Sequence, residues 1–190
     1  MADFLDDQQL QGQDFSGAPF PYRELEACTL TDCNLQQADL SGVAFSDCTL
    51  ERCDLSMAQL TKTAFRQVRF RQCKLIGLVF ADCHPFLLDM EFTDCQLAMA
   101  SFYQLPLADT SFVRCDLSEA DFVEADLARA TFDQCKLQGT QFEQTNLQGA
   151  DLRTAYGFEI HPARNQIRGA RFSVQGLPGL LAHFDLEIED

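Results

Sequence analysis

Twenty-nine carboxylates, nine cysteines and three histidines are the side chains here that carry acid–base, nucleophilic or metal chemistry. Their spacing does not assemble a reaction centre. His84, His161 and His183 lie far apart in sequence, with no nucleophile or ligand set beside any of them. No Gly-rich phosphate loop, pair of catalytic carboxylates or Cys/His constellation stands out. No enzyme, cofactor or metal is therefore expected. What remains is charge. Lysine and arginine number 14, so the formal net charge is -15. Such a balance disfavours nucleic acid, anionic membranes and acidic substrates, and favours basic protein partners. No apolar run approaches the roughly 20 residues of a membrane span. The start, Met1-Ala2-Asp3-Phe4-Leu5-Asp6-Asp7, lacks the basic and apolar regions of a signal peptide. A cytoplasmic location is expected, and the cysteines then need a role other than secreted disulfides.

The elements that position these residues follow from a period of five. An apolar residue returns at Leu10, Phe15, Phe20, Leu25 and so on, every fifth position, to Phe80. The frame slips by two residues, resumes at Leu87, and continues through Phe92, Leu97 and Phe102 to Leu152. Neither an α-helix (period about 3.6) nor a flat strand (period 2) uses this spacing. The residue two before each centre is mostly small, as in Ala38, Ala58, Ala100 and Ala120, with Cys and Thr elsewhere. The residue just before it is often Asp or Asn, as in Asn34, Asp54, Asp116 and Asn146.

This unit resembles the pentapeptide-repeat family motif over roughly residues 8–155. The resemblance implies an all-β fold: a right-handed, quadrilateral, parallel β-helix with one pentapeptide per side. The chain then divides into an N-terminal cap (1–9), the repeat rod (10–155) and a last partial coil with a short C-terminal helix and tail (156–190). From Phe92 to Leu147 the centres alternate Phe and Leu. With four sides per coil, Phe92, Phe112 and Phe132 form one column and Phe102, Phe122 and Phe142 the opposite one. A three-sided coil would stack Phe on Leu. About seven coils at roughly 4.8 Å give a rod about 35 Å long.

Cys33, Cys53, Cys73, Cys95, Cys115 and Cys135 all fall two before a centre on one side. The favoured reading is small apolar filler inside the rod. Stacked Cα atoms at this rise lie within disulfide range, but parallel Cβ vectors disfavour the bond. One column also cannot aim four sulfurs at a zinc ion. The slip at Cys83-His84-Pro85-Phe86 must bulge outward or bend the rod. It is either a neutral insertion or a partner-contact loop of His84, Pro85 and Phe86. Beyond Leu152, Gly157 and Pro162 break the frame, and Ile167 and Phe172 restore it. Ser173 is placed to cap a helix starting near Leu177. Leu177, Leu180, Leu181 and Phe184 share a helical stripe, and residues 185–189 alternate like a strand. With Leu186 and Ile188, that stripe either folds back as a monomeric cap or, the favoured reading, forms the face of a C-terminal homodimer.

The order Tyr156-Gly157-Phe158-Glu159-Ile160-His161-Pro162, Asn165-Gln166-Ile167 and Ala170-Arg171-Phe172-Ser173 resembles the C-terminal regions of the pentapeptide proteins that protect DNA gyrase. That group includes albicidin-resistance, microcin-immunity and quinolone-resistance members. The resemblance implies a rod that dimerises at its C-terminal end and mimics duplex DNA on the gyrase surface. The Gly176-Leu177-Pro178-Gly179 segment departs from it. The acids expected to carry the mimicry are Asp109, Asp116, Glu119, Asp121, Glu124, Asp126, Asp133, Glu143 and Asp151. Lys62, Arg66, Arg69, Arg71 and Lys74 form an opposing basic belt, free to pair with Asp82, Asp89, Glu91 and Asp94 or to stay solvated. The alternative is a non-catalytic scaffold with the same rod and a different protein partner.

Overall fold

The computed structural model describes residues 3–86, 88–184 and 186. Leu87, Ile188 and the expected tail strand at 185–189 lie wholly or largely outside the described residues. Each pentapeptide turns its centre inward, then bends sharply two residues later. Most of those corner residues adopt left-handed backbone, with φ between 51° and 64° where they are not glycine. The bend recurs at every wall because the chain must close a square while its N–H and C=O groups point along the axis to neighbouring coils. Corner 37, for example, donates its N–H to Ser56 O at 3.0 Å in the next coil. Left-handed backbone costs a side-chain-bearing residue about 1–2 kcal/mol, most for β-branched residues. Gln37→Val is therefore expected to lower stability by about 1–2 kcal/mol. Gln37→Gly is expected to leave it unchanged or raise it slightly. Thermal denaturation midpoints of the two variants check this.

Two ladders run along the rod. On the first wall β1 (Phe4–Asp6), β3 (Glu24–Glu26), β5 (Ala44–Ser46) and β7 (Ala64–Arg66) pair in parallel. On the second wall β2 (Gln9–Gln11), β4 (Thr29–Thr31), β6 (Thr49–Glu51), β8 (Val68–Arg71), β9 (Met90–Thr93), β10 (Ser111–Val113) and β11 (Thr131–Asp133) form a seven-stranded parallel sheet. Single bridges hold the other two walls, as in Asp14↔Asn34↔Asp54↔Lys74 on the third and Ser101↔Asp121↔Gln141 on the fourth. Pairing runs twenty residues apart, Leu30 on Leu50 for example, and twenty-two across the slip, Phe70 on Phe92. The expected 1–9 cap needs correction, because β1 already pairs with β3 through Leu5 and Leu25. The period of five simply extends one step earlier, to Leu5.

The core is the set of inward centres. Phe92, Phe112 and Phe132 stack with centroids 5.1 Å apart at each step and planes within 5° of parallel. Phe102 and Phe122 stack at 4.8 Å in the facing column. Across the axis the two columns meet edge to face, as in Phe112 and Phe122 at 5.8 Å and 82°. Parallel, offset rings along the axis and edge contacts across it are both favourable quadrupole geometries. The nine cysteines are free and buried. They do more than fill space: Cys53 Sγ lies 3.4 Å from Leu30 O and Cys73 Sγ 3.3 Å from Leu50 O, each reaching the preceding coil. Thr63, Thr140 and Thr145 occupy the same position and donate hydroxyls to Leu40, Leu117 and Phe122 carbonyls at 2.8–2.9 Å. Burial pushes the Cys48 thiol up to about 11 and the Cys83 thiol higher still.

At the C-terminal end Gln166 stacks on Asn146 and Arg171 on Asp151, so a partial coil closes the rod. The frame-breaking positions are bypassed: Phe158 and Ile160 are buried in place of Gly157 and Pro162. Ser173 Oγ accepts the Gly176 N–H at 3.1 Å, a 3-10 turn spans Val174–Gly176, and α1 covers Leu177–Leu181 with Pro178 in its first turn. The glycines that weaken this helix have a steric reason. A Cβ on Gly179 would sit 2.2 Å from Phe158 O, and one on Gly176 2.8 Å from Phe158 Cζ. Gly179→Ala is expected to push α1 off the end coil and cost about 1–3 kcal/mol, read by chemical denaturation.

Candidate functional site

The period of twenty sorts the predicted acids by wall, and they do not form one surface. On the corner between first and second walls, Asp109 takes two hydrogen bonds from Arg129, at 2.7 and 2.6 Å. That pairing holds its carboxyl below the usual range. Asp116 on the third wall is paired with Lys136 at 3.5 Å. Desolvation pulls its carboxyl up, but bonds from Ser118 and the Lys136 charge prevail and hold it down. Asp151 on the second wall lies 2.7 Å from Arg153 and 3.8 Å from Arg171. Asp133, also on the second wall, accepts the Thr154 hydroxyl at 2.8 Å, and Asp126 on the first accepts the Asn146 amide at 2.7 Å. These five are spread around the rod, and three are neutralised by the protein's own cations.

The remaining four come together. Asp121 lies on the fourth wall, with Glu119 and Glu124 on its two flanking corners in the same coil and Glu143 one coil on. Glu119, Asp121 and Glu124 have no ion-pair partner among the described residues. Gln104 Nε2 donates to Glu124 at 2.7 Å, and Ser101 to Asp121 at 3.4 Å, which orients both carboxylates without neutralising them. Glu143 meets Arg164 at 3.6 Å. Between Lys62 and Arg164 no lysine or arginine occupies an outward position of this wall or its flanking corners. Asp82, one of the acids set against the basic belt, also faces out here. A single-sign surface of this kind with a low-dielectric core behind it attracts cationic side chains.

The basic belt is mostly unpaired with the next coil: only Arg69 reaches one of the four acids, Glu91 at 3.3 Å, while Lys74 turns back to Asp54 at 3.9 Å. The slip lies on the first wall, whose ladder stops at β7. A 3-10 turn at Phe80–Asp82 precedes it, and Phe86 stands 63% exposed. His84 accepts the Phe86 N–H on Nδ1 at 3.2 Å. A groove of about 660 Å³ beside the bulge is lined by Arg66, Leu88, Asp89 and Asp109 among others. At the C-terminal end Leu177, Phe184 and Leu186 are 45–57% exposed, and Leu180 packs on the core.

Two features escape linear reading. His161 and His183 are 22 positions apart in sequence, yet their rings stack at 5.3 Å, against Phe184 at 5.5 Å from His161. Met57, Val79, Met99 and Tyr103 are exposed on or beside the fourth wall. Folding the sequence into rows of twenty, with the two-residue slip removed, would have put Met57 and Met99 in one column and Val79 and Tyr103 in columns beside it.

Among the described residues no cluster of three or more His, Cys, Asp or Glu side chains is arranged to hold a metal, and no helix is long and apolar enough to cross a membrane. No curated protein matches the chain. Among solved structures, a trypsin-treated form of QnrB1, a plasmid-mediated fluoroquinolone resistance protein, is 21% identical with a TM-score of 0.48, covering 100% of this chain and 99% of that one. HetL from Nostoc sp., a pentapeptide repeat protein involved in heterocyst differentiation regulation, is 18% identical with a TM-score of 0.49, over 90% and 88% of the two chains. A pentapeptide repeat protein of the Arabidopsis thaliana thylakoid lumen is 28% identical over 64% of this chain and 70% of its own, with a TM-score of 0.28. The family model described as a pentapeptide repeat region matches residues 23–85 and 87–156, its break falling at the slip. With square coils, stacked centres and most of its length matched, the chain belongs to the pentapeptide repeat family.

Proposed function

We propose that this protein is a non-catalytic DNA mimic that binds DNA gyrase, inhibits it, and shields it from gyrase-poisoning antibiotics, as resistance or as self-immunity. The observation that carries this reading is the fourth wall, which gathers Glu119, Asp121, Glu124 and Glu143 in two adjacent coils and carries no lysine or arginine from Val79 to Gln144. A DNA-binding groove is lined with lysine and arginine that gain by releasing counterions from a polyanion. A rigid rod that presents Glu119, Asp121, Glu124 and Glu143 on one face over two adjacent coils, about 4.8 Å apart, offers the same sign. The C-terminal sequence likeness to the gyrase-protecting group points to the same partner. The protein acts in the cytoplasm, without direct nucleic-acid or membrane binding. It forms a homodimer through exposed Leu177, Phe184 and Leu186, which doubles the rod and brings the acid-rich halves toward its centre. The bulge at His84, Pro85 and Phe86 is a second contact with the partner.

Purified protein added to gyrase is expected to inhibit supercoiling at high dose and to reduce drug-stabilised cleavage, both less so as salt rises. Unchanged gyrase activity across a wide titration, with capture of some other protein, would favour the scaffold reading. The dimer has its own check: Leu177→Asp with Phe184→Asp is expected to convert a dimer to a monomer in sedimentation, and a variant that stays dimeric refutes that interface.

A further inference from the structure

The fourth wall is not uniformly acidic. In the coils from Gly77 to Gln104 its outward positions are Val79, Ala81, Ser101 and Tyr103, with Asp82 and Gln104 on the far corner. On the near corner Met57, Gly77 and Met99 stack in successive coils, their backbone joined by Met57 N–H to Ile76 O at 3.2 Å and Gly77 N–H to Ala98 O at 2.9 Å. Gly77 leaves a gap that Met57 fills, its sulfur 2.7 Å from where a Cβ would stand. Met57 and Met99 are 59% and 57% exposed, and Val79 and Tyr103 42% and 39%. Four large apolar side chains therefore form one exposed block, and Glu119, Asp121 and Glu124 begin in the next coil.

Exposed apolar surface with an acidic border is not what phosphate mimicry requires, since a phosphate backbone offers its partner little but charge. Methionine is flexible and polarisable, and suits a surface that accepts apolar anchors of varied shape. We propose that the fourth wall is a two-part docking surface. Its Met57/Val79/Met99/Tyr103 block seats the apolar anchors of a basic amphipathic helix on the protein partner, and Glu119, Asp121 and Glu124 take that helix's lysines and arginines. Charge complementarity selects this occupant: a second copy of this chain would bring carboxylates against carboxylates. Spacing agrees with it, because a helix lying along the rod repeats every 5.4 Å per turn, close to the rise of about 4.8 Å per coil. Apolar anchors on one turn and cations one or two turns later meet the two blocks in order. The inference rests on the fourth wall being the binding face. It adds that part of the affinity is apolar and survives high salt.

Two helical peptides of equal charge test it on the full-length protein, one pairing lysines with a leucine stripe and the other with serines in place of the leucines. By fluorescence anisotropy, the leucine peptide is expected to bind at least about tenfold tighter, the equivalent of one partly buried leucine, and to keep that advantage at high salt. Met57→Ser with Met99→Ser, both at exposed positions, is expected to erase the advantage. Glu119→Gln with Glu124→Gln is expected to weaken both peptides alike. Val174→Ser, at the other exposed apolar end, is expected to change neither. Equal binding of the two peptides, or an advantage that survives the methionine variant, overturns the proposal. The same variants titrated on gyrase separate the two readings. A leucine-peptide preference without gyrase binding would fault only the choice of partner. Gyrase binding without any peptide preference would fault only the docking surface.

Discussion

Replacing Phe112 by alanine is expected to cost about 3–5 kcal/mol, as large a loss as any single side chain in this rod should give. The ring is fully buried and stacked on Phe92 and on Phe132, at 5.1 Å each. Its edges meet Phe102 at 5.9 Å and Phe122 at 5.8 Å. Removing it leaves a cavity that the neighbours cannot fill, because each centre is pinned by a backbone ladder on both sides. A solenoid coil is supported only by the coils above and below, so the damage falls at the middle of the rod and exposes two new ends. The urea midpoint should fall with it. Leu10→Ala is the contrast: it lies near the open N-terminal end, only partly buried, and should cost much less. Equal losses at the two positions would mean that the aromatic columns are not what holds the coils together.

The second large effect is expected on partner binding. Glu119→Lys with Glu124→Lys reverses two corner charges of the fourth wall, where neither carboxylate has a cationic partner among the described residues. Against a basic groove this replaces attraction by repulsion at two points, and gyrase inhibition is expected to weaken by about 100-fold or more. Glu24→Lys with Glu26→Lys makes the same change in net charge on the first wall, on β3. That control should weaken inhibition by only a few-fold, through the long-range field alone. Similar losses from both variants would mean that net charge acts, not a wall. Both variants should retain the far-ultraviolet spectrum of the parent, since all four side chains are exposed.

The fold was legible because its period is simple. Leu and Phe at every fifth position gave the walls. The resemblance to the pentapeptide-repeat motif implied four sides, the alternation from Phe92 to Leu147 excluded three, and the aromatic columns then fell where rows of twenty put them. The slip was legible as a change of frame, and the structure adds that one wall absorbs it while the pairing of the others moves to twenty-two. The corners were not legible, because residues as different as Gln37, Met57, Arg129 and Glu124 all take left-handed backbone there. Closure of the coil imposes that conformation, not local preference. The role of the cysteines was half seen: their place was right, but the thiol contacts with the preceding coil appear only in three dimensions.

The site was legible in amount and not in arrangement. Counting acids along the chain groups Asp109, Asp116 and Asp151 with Glu119 and Glu124. The coil instead spreads them over different walls and sets Arg129, Lys136 and Arg153 against the first three. Ion pairs between residues twenty apart, such as Arg114 with Asp94 at 2.6 Å, are invisible to any local window. Exposed pairs of this kind add little stability, about 0–1 kcal/mol each. Their consequence here is to neutralise Asp109, Asp116 and Asp151 while Glu119, Asp121 and Glu124 stay without an ion-pair partner among the described residues.

The central claim is that this wall occupies the surface of gyrase where duplex DNA lies. A competition titration tests it most directly: labelled duplex bound to gyrase, challenged with the full-length protein and followed by anisotropy. Full displacement of the duplex, at concentrations that rise with salt and rise again for the Glu119→Lys/Glu124→Lys variant, is the predicted result. A ternary complex that keeps its duplex at saturating protein would contradict the claim.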